Sequence, residues 1–117
     1  MTKLLGIFLL LLFNFSVSAQ SNKDLSKEQF KVFGNCEMCK KTIDAAAKSV
    51  DGVASAKWNA VSKQMKLKFD SSKTDIISIK KTIAKAGYDT EEFRAEETAY
   101  NSLHYCCQYD RPEAIKE

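Results

Sequence analysis

The chain has 117 residues, 18 basic against 15 acidic, a formal net charge of +3, four cysteines and one histidine. That length supports one domain with a single modest core, and so even a charge balance gives no case for nucleic acid as a partner. One histidine, no Ser-His-Asp order and no phosphate loop give no case for hydrolysis either, so no enzymatic activity is expected.

Lys3 supplies a positive start, and residues 4–15 form an apolar run broken only by Gly6 and Asn14. Val17-Ser18-Ala19 then offers the small residues that a signal peptidase reads, with Gln20 next. Residues 1–19 are therefore expected to be a secretory signal peptide. The run is shorter than the ~20 apolar residues of a transmembrane span. No cysteine follows the cleavage point, so no lipid anchor is expected there. The reading is an exported protein, periplasmic in a bacterium, soluble once cleaved. Residues 20–27 are polar and expected to be a flexible lead-in.

In residues 29–33, Phe30 and Val32 share one face of a half-buried strand. Gly34-Asn35 breaks it and opens a loop carrying Cys36. From Cys39 the period changes: Cys39, Ile43, Ala46, Ala47 and Val50 recur at helical spacing, until Asp51-Gly52 stops the helix. Residues 53–59 form a strand whose faces are less clear, with Ala54, Ala56 and Trp58 on one side and Val53 on the other. Residues 60–63 are a hairpin turn without the favoured Asn-Gly or Asp-Gly pair. In residues 64–69, Met65, Leu67 and Phe69 point one way and Lys66 and Lys68 the other.

Thr74 or Asp75 caps a second helix, marked by Ile76, Ile79, Ile83 and Ala86 and closed by Gly87. Residues 90–94 complete the order as a short fourth strand. A β-α-β-β-α-β order with two right-handed crossovers gives a ferredoxin-like α+β sandwich: a four-stranded antiparallel sheet with both helices on one face. Residues 95–117 form a tail beyond it, carrying Tyr100, Leu103, His104, Tyr105, Cys106, Cys107 and Tyr109.

Cys36, Cys39, Cys106 and Cys107 invite a disulfide reading in an exported chain. Their spacing opposes it, because neither local pair closes a loop long enough to restrain the unfolded state. Cys36 and Cys39 instead sit where a strand hands over to a helix. The helix N-terminus favours thiolate over thiol, and Lys40 and Lys41 add positive charge. Thiolates select Cu(I) and other soft ions over Mg²⁺ or Ca²⁺. Two sulfurs suit a linear ion, whereas a structural zinc site wants four ligands. Asn35 and Lys40 are placed behind the two ligands. Met38, Met65, Trp58 and the isoleucine stripe fit packing periods, and Lys57, Lys66 and Lys68 form a solvated sheet face.

These residues resemble the heavy-metal-associated domain family of copper chaperones, metal-exporting ATPase modules and periplasmic mercury-binding proteins. The resemblance spans residues 30–94 of a domain placed at 28–94. It rests on Cys36-Glu37-Met38-Cys39, Asp51-Gly52-Val53 and Ala86-Gly87-Tyr88. It implies one soft ion on the two cysteines, Cu(I) first and Hg(II) next. It also implies hand-over by ligand exchange to a metal-transporting ATPase or another metal-accepting protein, and a place for Tyr88 near the metal loop. The expected state is a monomer, with a metal-bridged dimer as the other form. The family's usual Gly-Met-x-Cys becomes Phe33-Gly34-Asn35-Cys36, so Gly34 stands where a methionine would.

The tail leaves two alternatives open. His104, Cys106 and Cys107 fold back as further ligands, a set that also suits Zn(II). Otherwise the tail cysteines form a disulfide, either Cys106 with Cys107 or one of them with Cys36 or Cys39. A thiol-disulfide oxidoreductase is the competing function for the same pair. Against it, the loop has no proline between its cysteines and the single proline, Pro112, lies far away. RNA-recognition motifs share the topology, but their aromatic-and-glycine signature is missing from residues 64–69.

Overall fold

Alternation builds the sheet. In β3 (Gln64–Phe69), Met65, Leu67 and Phe69 are buried while Lys66 and Lys68 are exposed, as a period of two requires. The computed structural model describes residues 24–113. The signal peptide expected at 1–19 and residues 20–23 of the lead-in lie outside the described residues. β1 (Ser26–Lys31) and β2 (Val53–Trp58) flank β3, both antiparallel to it, in the order β1-β3-β2. β1 starts inside the stretch expected to be a lead-in, with Ser26 opposite Phe69 and Lys27 opposite Lys68.

The unclear faces of β2 have a structural cause. Its register against β3 shifts between Val53 and Ser55. The irregularity exposes Ala54 and leaves Val53 packed on the core, while Ala56 and Trp58 are buried. In the hairpin, the Asn59 side chain accepts the N–H groups of Val61 and Ser62, both at 2.8 Å, and Lys63 adopts a positive φ of 66°. Asn59 and Lys63 thus do the work that an Asn-Gly pair would have done.

Both helices place apolar stripes on the sheet. α1 (Glu37–Lys48) buries Cys39, Ile43 and Ala47. α2 (Ile76–Lys85) buries Ile79 and Ile83 and is capped by Asp75, whose carboxylate accepts the Ser78 N–H at 2.7 Å. They join Phe30, Val32, Ala56, Trp58, Met65, Leu67 and Phe69 in one core. Each large apolar side chain so buried contributes about 1.5–3 kcal/mol.

The fourth strand expected at 90–94 does not form, which corrects the four-stranded sheet to three strands. Only a single bridge, Val32 with Thr90, remains of it. Thr90 turns the chain away instead: its N–H donates to the Phe93 carbonyl at 2.9 Å, and its hydroxyl accepts the N–H groups of Phe93 and Glu92. A threonine side chain that binds the backbone two and three residues ahead competes directly with strand pairing. The ferredoxin-like plan is otherwise as expected. The chain then forms α3 (Glu97–Asn101) and a 3-10 turn at Tyr105–Cys107. Among the described residues no helix is long and apolar enough to cross a membrane.

Candidate metal centre

The loop from β1 to α1 lies close against the core because Gly34 lets it. A Cβ on Gly34 would stand 3.0 Å from Cη2 of Trp58 and 3.1 Å from Cδ1 of Ile43. The indole is fixed there by its Nε1–H, which donates to the carbonyls of Val32 (2.8 Å) and Lys63 (3.1 Å). Trp58, expected only to pack, thus fills the space that a side chain at position 34 would use.

Cys36 occupies the N-cap of α1 in an extended conformation, φ −143°. Cys39, one turn on, is fully buried. Their sulfurs are 3.9 Å apart, far beyond the ~2.05 Å of a disulfide, and all four cysteines are free thiols. No full capping hydrogen bond reaches the Cys36 sulfur. The amides of Cys39 first and Met38 next nonetheless draw its pKa below the ordinary thiol value, as a helix N-terminus does. The Asn35 N–H donates to the Cys39 sulfur at 3.4 Å.

The tail reaches this loop. The Asn35 side-chain amide donates to the Cys106 carbonyl at 3.2 Å, and the same carbonyl lies 4.0 Å from the Cys36 sulfur. The sulfurs of Cys36, Cys106 and Cys107 all lie within 4.8 Å of one another. Cys107 is buried, and burial, followed by its neighbour Cys39, pushes its thiol up to about 12. Tyr88 is buried beside it, and burial first, then the Cys107 thiol, raises the phenol well above its usual value. Met38, expected as filler, is half exposed and brings its sulfur to 3.5 Å from that of Cys106. His104 is exposed, with Nδ1 also 3.5 Å from the Cys106 sulfur. Asn35 and Tyr88 therefore lie at the site. Lys40 does not join it, because its ammonium is held at 2.8 Å by Asp44, whose other oxygen accepts the Trp58 N–H.

A clasp of residues that the sequence did not single out holds the tail down. Asp89, 1% exposed, receives two hydrogen bonds from the Arg111 guanidinium, at 2.9 and 2.8 Å. Arg111 also donates to the Ala95 carbonyl at 2.6 Å and lies over the Tyr100 ring, 4.7 Å from its centroid. The Tyr109 hydroxyl accepts the Asp89 N–H at 2.7 Å and donates to the Gly87 carbonyl at 3.0 Å. Its ring stacks on Tyr88 and meets Tyr100 edge-on. No sequence spacing connects Asp89 to Arg111; of the clasp, only Tyr100 and Tyr109 were noted in the sequence, as tail aromatics.

Residues 29–89 match the family described as the heavy-metal-associated domain. Copper chaperone CopZ of Staphylococcus aureus (strain bovine RF122 / ET3-1) is 35% identical over 66 residues, 56% of this chain and 97% of the chaperone. A solved structure described as CopZ metallochaperone superposes with a TM-score of 0.54 at 35% identity, over 56% of this chain and 98% of that one. A copper binding domain from HMA7, a P-type ATPase, does so at 0.54 and 30% identity, over 56% and 89%. The family match ends at Asp89, so His104, Cys106, Cys107 and Arg111 all lie beyond it.

Proposed function

The chain belongs to the heavy-metal-associated domain family, and from that premise we propose that it is a carrier of Cu(I), working outside the cytoplasm and handing its ion to a metal-accepting protein. The observation that carries this reading is the thiol pair of Cys36 and Cys39, 3.9 Å apart at the start of α1. Two soft donors at that spacing grip a soft ion and offer nothing to Mg²⁺ or Ca²⁺. The protein is a binding protein and not an enzyme, in keeping with the copper chaperones it resembles.

The two cysteines divide the work. Cys39 is buried, with its sulfur held by the Asn35 N–H, and anchors the ion in the loop during exchange. Cys36 is half-buried, and the amides of Cys39 and Met38 draw its pKa below the ordinary thiol value, so its accessible sulfur is the thiolate that a partner's sulfur displaces first during exchange. An ATPase domain of the kind this chain resembles is the recipient proposed. Export rests on the pattern of residues 1–19, and Hg(II) and Zn(II) are the competing ions.

Anaerobic titration of the reduced protein with Cu(I), Hg(II) and Zn(II), against a chromophoric chelator, tests the reading. Tight binding of one equivalent of Cu(I), lost in Cys36→Ser, is expected. A wild-type protein that holds Zn(II) tightly and releases Cu(I) to the chelator would contradict it.

A further inference from the structure

Cys36 faces two ways. On one side it stands 3.9 Å from Cys39. On the other it belongs to the cluster with Cys106 and Cys107, whose three sulfurs lie within 4.8 Å of one another. We propose that Cys36, Cys106 and Cys107 form a three-sulfur site for Cu(I) in their own right, sharing Cys36 with the pair Cys36 and Cys39, so that the ion at rest is held by the tail as well as by the loop. The proposal rests on the copper reading above and adds the ligand set that the family region lacks.

Geometry supports it. Three sulfurs at about 2.3 Å from one ion stand about 4 Å apart, whereas two in a line stand about 4.6 Å apart. The cluster therefore needs only a small contraction to close on an ion. The backbone is already committed to this arrangement. The 3-10 turn is tied by Cys107 N–H to the His104 carbonyl at 2.7 Å, the Cys106 carbonyl by Asn35, and the following segment by Tyr109 and Arg111 on Asp89. A cluster held by its own scaffold binds without the ordering cost that a free tail would carry. Met38 adds a soft thioether beside Cys106.

Function follows from the shared sulfur. While Cys106 and Cys107 hold the ion it is covered by the tail. When a partner lifts them, Cys36 keeps the ion and swings it to Cys39 and the open loop, from which exchange proceeds. Each step swaps one thiolate for another, with no change in oxidation state.

Cu(I) binding by reduced full-length variants, read with a competing chelator and by X-ray absorption at one equivalent, separates the cases. Cys39→Ala is expected to retain one equivalent of Cu(I) in three-sulfur coordination, and to lose it when Cys106→Ala/Cys107→Ala is added. Cys106→Ala/Cys107→Ala alone is expected to bind in two-sulfur coordination with affinity reduced by at least about tenfold. Loss of all binding in a folded Cys39→Ala, or two-sulfur coordination in the wild type, would overturn the proposal. The wild-type spectrum decides even if Cys39→Ala does not fold. Failure of Cys106→Ala/Cys107→Ala to bind Cu(I) at all would instead count against the copper reading of Cys36 and Cys39.

Discussion

Arg111→Ala is the most informative single change outside the cysteines. It removes both hydrogen bonds to Asp89, at 2.9 and 2.8 Å, and the one to the Ala95 carbonyl. It leaves a carboxylate that is 1% exposed with the Ala95 N–H, at 2.6 Å, as its remaining strong donor. Stranding one member of a buried pair costs about 3–5 kcal/mol. Here the tail is free to lift and let water reach Asp89, so a loss of about 2–4 kcal/mol is expected, below the full figure for a sealed site. The contact of Arg111 with Glu97, which is 73% exposed, adds little to this. For a domain of this size the loss is a fall in Tm of roughly 10–20 °C, read by circular dichroism, with earlier proteolytic cleavage after residue 95. Arg111→Lys keeps the charge but not the planar fork and should fall between the two. In a double-mutant cycle, Asp89→Asn should recover much of the loss in Arg111→Ala, since no stranded charge remains. A variant Arg111→Ala that melts within a few degrees of wild type, with an uncleaved tail, would refute the view that this clasp seats the cysteines.

Other expectations follow from single features. Burial raises the Asp89 carboxyl, but the Arg111 guanidinium and the Ala95 N–H outweigh it and leave its pKa below the ordinary value. Its contribution is therefore complete above pH ~4 and lost as pH falls through the lowered folded value; amide protection factors in residues 95–113, each taken against the free-chain exchange rate at the same pH, should fall in acid and stay flat across neutral pH. Gly34→Ala should cost about 1–3 kcal/mol by overpacking against Trp58 and Ile43, and an unchanged melting temperature would mean that the loop has room to move. Gly87 has φ +111°, and a Cβ there would meet Leu103 at 2.9 Å; Gly87→Ala should lower Tm and loosen α3 together, as thermal melts and proteolysis would report. Lys40→Ala should change stability by under about 1 kcal/mol and leave Cu(I) affinity alone, a result checked in the same chelator titration. The export proposed above should leave a mature protein whose N-terminal sequence begins at Gln20.

The strands and helices that seat the loop were legible because each obeys a single period. Met65, Leu67 and Phe69 alternate, and Cys39, Ile43 and Ala47 recur at helical spacing. The placement of Cys36 and Cys39 at the start of α1 was legible because the change from strand period to helix period is local. The fourth strand was misread because Thr90 diverts its own backbone through a side-chain contact that no periodicity reports. The faces of β2 were blurred by a register shift that only the partner strand reveals. Lys40 looked like part of the site by proximity in sequence, yet Asp44, one turn along, takes its charge. The clasp was invisible because Asp89 and Arg111 meet across 22 positions, through tertiary contact alone.

Trp58 is the only tryptophan in the chain, and its ring touches the loop two residues before Cys36. The molecule thus carries a built-in optical reporter of the corner proposed to hold the ion. Its emission should be blue-shifted in the resting protein, as for an indole shut away from water. A soft ion drawing Cys36 inward would shift or quench that light without any added dye, so loading and release can be followed in real time on the unmodified protein.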